Sequence, residues 1–104
     1  MFKYLIYEVK YMQHYIIVKF SSDYNYFEEV DKITNLFKES LKIDGVKNVD
    51  IYVSNSKLNN RHDLMIKMEL TPQALVDFDN SWIHKKWKDD YSKFIETKTI
   101  FDCD

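Results

Sequence analysis

Apolar and polar positions change period several times along the chain, and each change marks an element. Phe2, Tyr4 and Ile6 alternate with Leu5, Tyr7, Val9 and Tyr11, an aromatic and β-branched bias that predicts a strand covered on both faces. The run His14 to Phe20 is again strand-like, and its two-residue period puts His14, Ile16, Val18 and Phe20 on one face. Ser21–Asn25 is polar and interrupts it. Phe27, Val30, Ile33, Leu36, Phe37 and Leu41 then recur at three and four, which predicts a helix with one buried stripe to about Lys42. Asn25 and Glu28 have the spacing of a capping box at its start, and Asp44-Gly45 closes it.

Val49, Ile51 and Val53 alternate as the next strand, and the polar connector 54–60 leads into a third strand over about 62–70. There Leu64, Ile66, Met68 and Leu70 share one face, while Asp63, Met65, Lys67 and Glu69 share the other. Thr71-Pro72 has the form of a helix start, with threonine as cap and proline where its missing N–H costs nothing. That short helix buries Ala74, Leu75 and Phe78. From Trp82 to Ile95 the 100° helical step gathers Ile83, Phe94, Trp87, Tyr91, His84 and Ile95 on one side. Lys85, Lys86, Asp89 and Lys93 take the other side, and 97–102 reads as a closing strand. Setting the first ten residues apart, the order is βαββααβ, which predicts an α+β fold: a ferredoxin-like antiparallel sheet with helices on one face.

Composition narrows the functions this fold can serve. The 104 residues suit one domain, and 45% hydrophobic content is enough for a core. With 15 basic and 17 acidic residues the net charge is −2, so no basic field draws the chain to nucleic acid or to an anionic membrane surface. Cys103 is the single cysteine, which excludes an intramolecular disulfide and a thiolate metal cluster and fits a reducing cytoplasm. The N-terminal segment carries Lys3, Glu8 and Lys10 and lacks the unbroken apolar run of a signal or a membrane span. Gly45 is the only glycine, so phosphate-cradling loops and dinucleotide-binding turns are excluded.

Three stretches carry a resemblance to a known family: HYIIVKF at 14–20, IDGVKNV at 43–49, and DLMIKMEL, ALVDF, His84 and IFDCD between 63 and 104. In this order and spacing they resemble the stress-responsive dimeric α/β-barrel (Dabb) domain. Family members usually begin with a methionine shortly before the first strand, and Met12-Gln13-His14 resembles such a start. Residues 1–12 then form an N-terminal strand extension, expected to pair with the sheet edge or a partner subunit, and 13–104 the Dabb-type domain. The resemblance implies a homodimer, a dimeric α/β barrel of two four-stranded sheets packed face to face. Tyr15, Ile17, Leu64, Ile66 and Met68 are expected to supply the apolar surface, and about 800 Å² buried per subunit would make a standard stable interface.

In the polyketide-cyclase branch of the family a pocket between sheet and helices holds a catalytic histidine and tyrosine. His84 matches that histidine, and His14 matches a pocket-lining histidine. The tyrosine position is Phe78 here and a strand-three histidine is Asp63, so one acid/base partner is missing. As a pocket imidazole, His84 is the candidate catalytic base; otherwise it is a core histidine bonded to a neighbour. His14 and Asp63 form either an imidazole oriented by a carboxylate or a self-satisfying polar pair. Phe78, Trp87 and Tyr91 complete the expected ligand-binding set, as pocket aromatics or as core. No metal and no cofactor are expected: His62 and Asp63 are adjacent in a strand and point to opposite faces. The expected function is a small cytoplasmic Dabb homodimer of the stress-response type that binds a hydrophobic or aromatic small molecule. Whether it is an enzyme stays open, the alternative being a cofactor-independent lyase, cyclase or monooxygenase using His84 as base. A third reading is a purely structural dimer whose pocket Phe78, Trp87 and Phe94 fill themselves.

Overall fold

The computed structural model describes residues 8–104. Four strands, β1 (Met12–Phe20), β2 (Val46–Val53), β3 (Leu64–Leu70) and β4 (Ile95–Cys103), form one antiparallel sheet in the order β2-β3-β1-β4. Three helices, α1 (Val30–Lys38), α2 (Pro72–Asp79) and α3 (Trp82–Tyr91), cover one face of it. Short 3-10 turns flank α1 on both sides, at Tyr26–Glu29 and Glu39–Lys42.

The two-residue period decides which side chains go inward. His14, Ile16, Val18 and Phe20 on β1, with Leu64, Ile66, Met68 and Leu70 on β3, are all buried beneath the helices. Val49 joins them from β2, and Ile33, Phe37, Ala74, Phe78, Ile83 and Trp87 close over them from the helices. Phe37 packs edge-on against Trp87 with ring centroids 5.0 Å apart, fixing α1 against α3.

Several expectations are corrected here. Leu64, Ile66 and Met68 face the helices, so of the expected surface Tyr15 and Ile17 remain on the open face, joined by Tyr52, Met65, Thr99 and Phe101 and by the charged Asp50, Lys67 and Glu69. Asn25 makes no capping hydrogen bond, and the chain enters α1 through the 3-10 turn. The third helix stops at Tyr91; a 3-10 turn at Ser92–Phe94 follows, and Ile95 already belongs to β4. Gly45 lies beyond the helix end, in the turn before β2, at φ +90°. The expected strand over the first residues falls largely on 1–7, outside the described residues, and 8–11 carry no regular structure.

The covering is uneven. Helices span β3 and β1, but Lys98, Ile100 and Asp102 on the inner face of the edge strand β4 stay exposed. A cavity opens along that edge.

Candidate functional site

His14 reaches the cavity from the centre of the sheet, and antiparallel register sets Asp102 of β4 directly beside it. His14 Nδ1 lies 2.5 Å from Asp102 Oδ1. A carboxylate only accepts, so Nδ1 carries the proton in this hydrogen bond. The imidazole is buried, at 6% exposure, while the Asp102 side chain is 44% exposed at the rim.

His84 approaches from the helix side. Ser81 is the N-cap of α3, its Oγ accepting from the His84 N–H at 3.3 Å and donating to the Phe78 carbonyl at 2.7 Å. One hydroxyl thus ties the end of α2 to the start of α3 and sets where His84 emerges. Burial lowers the His84 pKa below its ordinary 6.5, against the opposing charge of Asp79 and together with Lys88 and Lys98. The ring is neutral at neutral pH and so able to accept a proton. The edge of Phe78 meets it with centroids 5.4 Å apart.

Together these residues bound a cavity of about 230 Å³, lined by His14, Ile16, Leu75, Asp79, His84, Trp87, Lys98, Ile100 and Asp102. The apolar body comes from Ile16, Leu75, Trp87 and Ile100. Among the described residues no three His, Cys, Asp or Glu side chains converge as a metal ion would need.

Of the residues singled out in the sequence, the fold brings His14, His84 and Trp87 to one cavity. It does not bring Asp63 there. Asp63 stands at the other end of β1, where its Oδ2 accepts the Phe20 N–H at 2.8 Å, so the carboxylate beside His14 is Asp102. Phe78 lies wholly in the core and meets the site through the His84 ring. Tyr91 faces away, into a separate cleft of about 690 Å³ between α1 and α3, with Tyr24, Glu29, Trp82 and Phe94. Its phenol is pushed up to about 12, by burial first and then by the charges of Glu29, Tyr24 and Asp90, so it holds its proton at neutral pH. That cleft is the larger of the two, yet it contains neither imidazole; both line the smaller one. Sequence reasoning missed Asp102, Lys98 and Leu75. The inward parity of His14 was legible, but no local signal tells which residue of a distant strand pairs with it.

No family model matches the chain, and no curated protein matches it. Solved structures do. A Dabb family protein with a ferredoxin-like fold from Mesorhizobium loti is 18% identical and superposes with a TM-score of 0.66, over 88% of this chain and 93% of that one. A dimeric ferredoxin-like protein of unknown function from Thermobifida fusca is 9% identical with a TM-score of 0.77, over 98% and 97%. A hydroxynitrile lyase from Passiflora edulis is 9% identical with a TM-score of 0.71, over 91% and 93%. At these identities the likeness is one of fold: the chain has the ferredoxin-like fold that these proteins share.

Proposed function

We propose that this Dabb-type ferredoxin-like domain works as a cytoplasmic homodimer that binds a small molecule with an apolar, commonly aromatic, body in the cavity between sheet and helices. The observation that carries the reading is that two imidazoles from separate elements, one oriented by a carboxylate, meet in an otherwise apolar cavity. A mostly apolar wall with a few convergent polar groups is what a small-molecule site consists of. At about 230 Å³ it suits a ligand smaller than a drug-sized one. The dimer is supported by the exposed apolar residues Tyr52 and Phe101 on the open face of the sheet and by the description of the Thermobifida fusca neighbour as dimeric.

Ligand-observed NMR with 4-hydroxybenzamide as probe tests it. The probe should bind the wild-type chain, and Leu75→Trp, which fills the cavity from α2, should remove the binding while the fold is kept. No binding by the wild type, or equal binding by the filled variant, would overturn the reading.

A second reading is favoured by the His14–Asp102 pair. An imidazole held in one tautomer by a carboxylate, sharing a cavity with a neutral imidazole, can take a proton from a bound substrate and return it elsewhere. The Passiflora edulis neighbour, described as a hydroxynitrile lyase, has a similar fold, which supports this reading by analogy. Here His14 and His84 are the two acid/base groups. Once a substrate is found, loss of turnover in both His14→Ala and His84→Ala with binding retained supports catalysis; unchanged turnover in either removes that residue from it.

A further inference from the structure

Lys98 is the lysine that lines the cavity, and it sits on the inner face of β4 four residues from Asp102, with Ile100 between them. At about 3.3 Å per residue the two Cα atoms are about 13 Å apart, so they stand at opposite ends of one strip. Register sets Asp102 beside His14, Ile100 beside Ile16 and Lys98 beside Val18. The strip therefore runs from an imidazole–carboxylate end, across an isoleucine floor, to an ammonium end. At the first end, Asp102 is occupied by His14. At the other, among the described residues no carboxylate stands within 4.0 Å of the Lys98 ammonium; Lys10, Lys19, Lys38, Lys57, Lys67, Lys88 and Lys93 have none either, and what sets Lys98 apart is its place in the lining of this cavity.

We propose that the ligand of this cavity is a carboxylic acid, its carboxylate held by Lys98 and a hydrogen-bonding group at its far end held by His14. This rests on the small-molecule reading above and adds the substrate class. An apolar body between the two ends fits Ile16, Leu75, Trp87 and Ile100. Asp79, the remaining charged group of the cavity, belongs to the end of α2 and bears on His84 more strongly than Lys98 does. It therefore repels a carboxylate placed against His84 and leaves the Lys98 end as the favourable place for one.

The test compares 4-hydroxybenzoate with its neutral counterpart 4-hydroxybenzamide by NMR titration of the full chain at pH 7.5 and low salt. The acid is expected to bind at least about 10-fold tighter, since a charge-assisted hydrogen bond contributes more than a neutral one. Lys98→Met should abolish that preference, so that acid and amide bind alike, and Lys98→Arg should keep it. Equal binding of acid and amide by the wild type, or a preference that survives Lys98→Met, would overturn the proposal and leave the small-molecule reading standing. If neither compound binds, both fall.

Discussion

At the scale of single residues, the proposed site depends on what surrounds two imidazoles. Asp102 holds His14 in one tautomer. Asp102→Asn keeps the shape and removes the charge, so the downfield Nδ1 proton resonance expected of the wild type should move upfield or vanish; an unchanged resonance would mean that the pair does not hold in solution. His84 differs, because burial favours its neutral form. Its folded-state pKa lies below 6.5, so the unfolded chain takes up the proton first as pH falls. The stability linked to it is complete above pH 6.5 and is lost as pH falls from there through the folded-state value. His84→Gln should therefore lose less stability than the wild type between pH 7.5 and 5.5, read as the shift in urea midpoint. An equal shift in both chains would refute the assigned direction.

At the scale of elements, α2 and α3 are each started by a hydroxyl cap, and the second cap also places the site. Thr71 Oγ1 accepts the Ala74 N–H at 3.1 Å, and Ser81 Oγ accepts that of His84. Ser81→Ala should cost about 1 kcal/mol in chemical denaturation and weaken probe binding as His84 loses its anchor. Thr71→Ala should cost a similar amount and leave probe binding alone. The turn before β2 leans on the same region: Gly45 has φ +90°, and a Cβ there would meet Thr71 Oγ1 at 2.5 Å and Ala74 Cβ at 3.0 Å. Backbone strain and collision act together, so Gly45→Ala should destabilise by on the order of 2 kcal/mol. A cost below that of a surface substitution would contradict the geometry.

At the scale of the whole molecule, the sheet has one face under helices and one face of Tyr15, Ile17, Tyr52, Met65, Thr99 and Phe101. Phe101 is 57% exposed and Tyr52 is 48% exposed in the single chain. Two such faces brought together would bury apolar area of the order of a stable interface. Ile17, on a central strand opposite Met65 and Thr99, stands at the middle of that face. Ile17→Glu would bury an unpaired charge in the dimer, so sedimentation should show association weakened in favour of monomer by at least about 100-fold. A wild-type chain that sediments as a monomer at micromolar concentration would remove the dimer from the proposed function.

Strand parity and helical stripe follow from local chemistry, because a side chain's face is fixed by its place in a repeat of two or of 3.6. That is why the buried faces of β1 and β3, the caps at Thr71 and Pro72, the stripe of Ile83, Trp87 and Tyr91, and the ferredoxin-like order of elements were legible in the sequence. Register and depth are not local. His14 and Asp102 are 88 residues apart, and only the packing of β4 against β1 selects Asp102 over Asp63 as its carboxylate. The cavity likewise exists because the helices stop short of the edge strand, a consequence of how whole elements stack, which no pattern of neighbouring residues encodes.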